Sequence, residues 1–148
     1  MEPVVDLGPG AERNPLAGLL AELVRANVQR PAQRRELERL RGSFAVVADD
    51  AGSALTLRFD FGRLTVHEGI VGIPDVTLRG RSADIEALAD LPFRTRLGVP
   101  LPAPGDADGR HAVSVLLSAL RGRRIKIYGL LTHPRLVFGL LRVLARRG

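Results

Sequence analysis

The chain contains no cysteine and no tryptophan, one methionine and one tyrosine, and aromatic residues make up only 4% of its 148 residues. Each absence removes a class of function. Without cysteine there is no disulfide framework, no thiolate zinc site, no iron–sulfur cluster and no thiol nucleophile. No apolar run reaches the roughly 18–20 residues needed to span a bilayer. The stretch from Met1 to Asn14 carries Glu2, Asp6, Glu12 and two glycines. It lacks the basic start and apolar block of a secretory signal, which points to a cytoplasmic protein. Lysine is nearly missing as well. Of 22 basic residues Lys126 alone is lysine, and against 16 acidic residues the net charge is +6.

What is present is aliphatic residue and arginine. Hydrophobic residues reach 45% and mean hydropathy is +0.07. That apolar fraction with mixed charge excludes global disorder. The length suits one domain, and a chain of this size buries roughly two-thirds of its surface on folding.

Residues 1–13 read as a flexible tail, with a single domain over 14–148. Asn14-Pro15 opens a helix, Asn as the N-cap and Pro at the first position, where its missing N–H costs nothing. Leu16, Leu19, Leu20, Leu23 and Val28 follow at helical spacing. Pro31 breaks that helix or starts the next, and Gly42 reads as a helix stop. The period then drops from 3.6 to 2. Phe44 to Val47, Leu55 to Asp60, Leu64 to His67, Val76 to Arg79 and Ile125 to Tyr128 read as five strands. Their outward set includes Thr56, Arg58, Arg63, His67, Thr77, Lys126 and Tyr128. The expectation is a sheet with one wet face and one covered face.

The covering helices lie between and after the strands. Ser82 caps a short helix. Val113, Leu116, Leu117 and Leu120 form a second stripe closed by Gly122. A last helix runs from Pro134 to about Arg146, and its Leu136, Val137, Phe138, Leu140, Leu141, Val143 and Leu144 cover more than one narrow stripe. Such a helix is deeply buried or faces a second apolar surface. The Pro- and Gly-rich stretch 92–110 is either a gate over a binding site or a disordered insertion.

Three stretches resemble the sterol carrier protein type-2 domain. One is Leu55-Thr-Leu-Arg-Phe59, a turn, and Leu64-Thr-Val66. The second is Asp75-Val-Thr-Leu78 followed by Ser82-Ala-Asp-Ile85-Glu-Ala-Leu88. The third is Leu116-Leu-Ser-Ala-Leu120-Arg-Gly122-Arg-Arg-Ile125-Lys126-Ile127-Tyr-Gly129. The resemblance covers roughly residues 40–148. It implies an α+β fold, a five-stranded mixed, mostly antiparallel sheet with helices packed on one face. It also implies an apolar tunnel for fatty acids, acyl-CoA, sterols or isoprenoids, and some bacterial-type relatives are accessory lipid carriers in isoprenoid quinone biosynthesis. This chain departs from the family in two places: the 92–110 stretch is long, and Leu120-Arg121 replaces the usual aromatic–Met pair.

Catalytic chemistry finds little footing. His67, His111 and His133 are scattered over a strand face, a loop and a helix start. The glycines follow neither a dinucleotide nor a P-loop spacing, no serine sits on a nucleophile elbow, and Asp106 with Asp108 lacks the closing Glu of a calcium loop. No cofactor and no metal are expected. Arg121, Arg123, Arg124, Lys126, Arg142, Arg146 and Arg147, with a pI near 11.2, supply the charge for phosphate binding. Stacking aromatics are missing from the exposed face except Tyr128, so nucleic acid is disfavoured. The same cations suit an anionic membrane surface.

The expectation is therefore a non-catalytic lipid binder or carrier with its tunnel between sheet and last helix. Leu57, Phe59, Val76, Leu78, Leu117, Ile127, Phe138, Leu141 and Leu144 are the candidate lining. Arg121 or Arg124 would hold a polar head group. The alternatives are a quinone-pathway lipid carrier and a ligand-free scaffold or nucleic-acid-binding domain.

Overall fold

The computed structural model describes residues 3–87, 125–129 and 132–144, Ala87 through its backbone only. In chain order it contains β1 (Val4–Leu7), a 3-10 turn (Ala11–Arg13), α1 (Pro15–Asn27), α2 (Pro31–Arg39) and β2 (Arg41–Ala48). Then come β3 (Ser53–Asp60), β4 (Arg63–Glu68), β5 (Val76–Gly80), α3 (Ser82–Ala87), β6 (Lys126–Tyr128) and α4 (Pro134–Leu144). The strands form one mixed sheet in the order β1-β4-β3-β2-β5-β6. Three pairings are antiparallel, β2 with β3, β3 with β4 and β5 with β6. Two are parallel, β1 with β4 and β2 with β5. The fold is α+β, with all five expected strands present and a sixth added.

The sixth strand corrects the flexible tail. Val4 to Leu7 pair with Arg63 to Val66, the Val4 N–H donates to the Gly62 carbonyl at 2.9 Å, and the Gly8 N–H donates to the Val66 carbonyl at 2.7 Å. Arg25 of α1 donates to the Val5 carbonyl at 2.9 Å. Left alone, β4 would present an unpaired edge, and the N-terminal residues cover it. Residues 88–124 lie outside the described part, and with them the 92–110 stretch and the helix expected around Leu116.

The local signals for α1 and α2 operate as written. Asn14 Oδ1 accepts the N–H groups of Leu16 and Ala17 at 3.1 and 3.3 Å, satisfying two of the donors a helix start leaves open. Its Nδ2 donates to the Ala54 carbonyl at 3.2 Å, so the same side chain fastens α1 to β3. Pro31 starts α2. Gly42 is not a helix stop: α2 ends at Arg39, and Gly42 lies in β2 at φ 143. A Cβ there would stand 2.7 Å from Leu136 Cδ2, so the missing side chain lets α4 approach the sheet. Ser82 does not cap α3 either. Its N–H and hydroxyl both donate to Asp50 Oδ1, at 2.9 and 3.0 Å, and the Arg81 carbonyl accepts the Ile85 N–H.

The inner face of the sheet is built in rows across the strands. Phe44 stands between Leu57 and Val76, and Leu57 is followed by Val66. Val46 stands between Leu55 and Leu78, and Leu78 is followed by Ile127. Phe44 and Phe59 meet edge to face, with ring centroids 6.2 Å apart. These residues and those of α1, α2 and α4 form one buried cluster. The other face is less wet than alternation predicts. Ala45 and Thr56 are buried on it, because the chain after β4 folds back across that face.

Candidate functional site

Seven of the candidate lining residues come together. Leu57, Phe59, Val76, Leu78, Phe138, Leu141 and Leu144 belong to the single core cluster, each 3% exposed or less. Ile127 packs against it, partly buried. Leu117, Arg121 and Arg124 lie outside the described residues. The cluster is aliphatic apart from Phe44, Phe59 and Phe138, so most of its volume is jointed side chain rather than flat ring.

The position of α4 follows from its composition. Eight of its eleven residues are buried. Leu136 meets the sheet at Gly42, and the helix also packs against α1 and α2. Gly139 faces Leu40 so closely that no Cβ fits. Two polar ties fix the helix. Asn27 Nδ2 donates to the Val143 carbonyl at 2.8 Å in a buried setting, and Arg142 Nη1 donates to Glu36 Oε2 at 2.7 Å. The wide apolar perimeter is therefore buried, with contacts to the sheet and to both N-terminal helices.

A groove of about 960 Å³ opens between α2 and α4 beside the start of β2. Arg39 and Arg41 line one wall and His133 and Arg135 the start of α4, with the Glu36–Arg142 ion pair at its side and Leu136 and Phe138 in its floor. Of the candidate lining residues among those described, Phe138 reaches it. The arginines here were not anticipated. They sit on α2, β2 and α4, and only the tertiary fold brings them together. Arg142, one of the cations suited to phosphate or a membrane surface, is held by Glu36.

The remaining ionisable groups are placed without a catalytic constellation. His133 occupies the capping position of α4, where its carbonyl accepts the Val137 N–H at 3.2 Å. His67 stands over Gly8, remote in the sheet from α4. Asp50 has its carboxyl held below the usual range, chiefly by the Ser82 N–H bond. Among the described residues no group of three or more His, Asp or Glu could hold a metal ion. Among the same residues no helix is long and apolar enough to cross a membrane.

A mixed sheet backed on one face by helices over a single aliphatic core defines the class: an α+β domain. Residues 20–96, just over half of the chain, match the model of the SCP-2 sterol transfer family, and the chain belongs to that family. Two solved structures share the fold. One is a ubiquinone synthesis protein, UbiJ-SCP2, at 19% identity and a TM-score of 0.58, covering 91% of this chain and 98% of its own. The other is a crystal structure of sterol carrier protein 2, at 16% identity and a TM-score of 0.51, covering 87% and 95% respectively. No curated protein sequence matches the chain.

Proposed function

We propose that this chain binds a lipid in the aliphatic interior between the sheet and α4 and carries it without chemical change. The observation behind this reading is the core itself. Its sheet rows and α4 are lined almost wholly by branched and linear aliphatics, side chains that can re-pack around a flexible guest. Membership of the SCP-2 family supports the same reading. The lining we assign runs from Leu57 and Phe59 through Val76, Leu78 and Ile127 to α4, with Leu117 added from the segment before β6. Arg121 or Arg124 holds a carboxylate or phosphate head, and the 92–110 stretch serves as the gate. The lipid is a fatty acid, acyl-CoA, sterol or isoprenoid, and the site of action is the cytoplasm.

A second reading narrows the first. The likeness to the UbiJ-SCP2 ubiquinone synthesis protein extends over nearly the whole of both chains. It favours service as an accessory carrier of an isoprenoid quinone precursor. Displacement of a fluorescent fatty acid by competing lipids tests both. Competition by fatty acids or sterols supports the general carrier, and selective competition by a polyprenyl phenol supports the narrower role. Absence of any uptake contradicts both.

A further inference from the structure

Residues 69–75 join β4 to β5. These strands run parallel, with β3 and β2 between them. The connection therefore crosses the sheet, and it does so on the face away from α1, α2 and α4. It is fastened at both ends. The Gly69 N–H donates to the Ala54 carbonyl at 2.9 Å. The Thr56 hydroxyl donates to the Gly69 carbonyl at 2.7 Å and accepts the Val71 N–H at 2.9 Å. At the far end the Asp75 N–H donates to the Ser43 carbonyl at 2.9 Å, and Asp75 Oδ2 accepts the Ser43 N–H at 2.9 Å. Gly69 and Gly72 take φ of 73 and 72, a conformation glycine adopts without strain.

Between these anchors the strap turns its apolar side chains outward. Ile70, Val71 and Ile73 are 55%, 45% and 94% exposed. Isolated apolar residues on a surface need no explanation, but three on one pinned strap do. Their surroundings are specific. Tyr128, exposed on β6, stands opposite Thr77, and a Cβ on Gly129 would stand 2.6 Å from the Asp75 carbonyl oxygen. Tyr128 thus stands beside the C-terminal end of the strap. Arg58 lies across from Ser43 and Lys126 lies two residues before Tyr128 on the same face. Both are exposed, and neither has an ion-pair or hydrogen-bond partner among the described residues. Asp75, the carboxylate at the C-terminal end of the strap near Arg58, is engaged by the Ser43 N–H.

Exposed aliphatics, one amphipathic aromatic and flanking cations make up the composition that rests at a bilayer interface. A second copy of the chain fits the surface poorly, because it would bring Arg58, Lys126 and a net charge of +6 against their like. We infer that the strap at residues 70–73 inserts into the surface of an anionic membrane, with Arg58 and Lys126 at the phosphate level and Tyr128 at the boundary. This docking does not depend on a lipid being carried. It also assigns membrane contact to the outer sheet face rather than to Arg142 of α4.

The absence of cysteine gives a clean test. Ile73→Cys is a single attachment point for an environment-sensitive fluorophore. Phosphatidylglycerol–phosphatidylcholine vesicles should shift its emission to the blue, and phosphatidylcholine vesicles should leave it unchanged. Replacing Arg58 and Lys126 by serine should weaken binding about fivefold for each cation removed. In unlabelled protein, Ile70→Asp with Ile73→Asp should reduce co-sedimentation with the anionic vesicles roughly tenfold or more. The melting curve by circular dichroism should be unaltered, and Ile73→Ser is the milder variant if it is not. The inference is overturned if the parent chain ignores anionic vesicles or if the aspartate or serine variants bind them undiminished. It is equally overturned if the label shifts without vesicles while light scattering reports a dimer. Fatty-acid uptake from solution, measured on the same variants, bears on the proposed cargo alone.

Discussion

Arg142 of α4 donates to Glu36 of α2 across 2.7 Å, joining two residues 106 positions apart in the chain. Their side chains are 27% and 15% exposed, so the pair is largely withdrawn from water, and Arg142 Nε is buried with no hydrogen-bond partner among the described residues. Removing one charge leaves the other poorly solvated. Glu36→Gln should therefore destabilise the fold by about 1–3 kcal/mol, the cost of leaving a partly buried charged group unpaired. Urea denaturation of the two proteins measures it. An unchanged midpoint would mean that the pair does not fasten α4 to α2.

Asn14 performs two tasks with one side chain, capping α1 through Oδ1 and holding the Ala54 carbonyl through Nδ2. Asn14→Ala should cost about 1–2 kcal/mol, at the upper end for an N-cap. Asn14→Asp keeps the acceptor and loses the donor, so it should recover most but not all of that loss. Thermal denaturation of the three proteins separates the two contributions.

Asp50 supplies a pH-dependent tie between the β2–β3 turn and α3. Its carboxyl is depressed in the folded chain, first by the Ser82 N–H. A depressed carboxyl stabilises the fold above the unfolded-state pKa, and that contribution is lost as pH falls through the folded value. Asp50→Asn should thus be less stable than the parent at neutral pH. The gap should close as the pH drops below about 4, the ordinary range of an aspartate. Denaturation at neutral and acid pH gives the comparison, and a gap independent of pH would contradict the assignment.

The parts of the fold legible in the sequence are those with short-range causes. Asn14-Pro15 marks a helix start because cap and first turn are adjacent. Leu55, Leu57 and Phe59 mark a strand because alternation needs only a few neighbours. The parts that were not legible have causes far along the chain. Val4 to Leu7 are too short to show a period, and their partner is β4. Thr56 alternates as an outward residue yet is buried, because Gly69 and Val71 return to its hydroxyl. Gly42 looks like a helix stop, but it is a strand residue on which Leu136 rests. The apolar perimeter of α4 reads as deep burial or a second apolar surface, and eight of its eleven residues are buried. It packs against α1 and α2 as well as the sheet, so α4 alone does not call for a guest. The members of the core cluster on β3, β5 and α4 were legible residue by residue, since strand alternation and helical spacing name them. The groove arginines and the Glu36–Arg142 pair were not, because no local pattern connects α2 to α4.

The central claim is that the aliphatic interior takes up a lipid, and native mass spectrometry of the purified chain tests it most directly. Spectra recorded before and after solvent extraction should differ by the mass of a bound lipid, and Phe138→Asp should remove that added mass. A chain that emerges at its bare mass, gains none when offered fatty acid, sterol or isoprenoid, and behaves identically with Phe138→Asp would contradict the account.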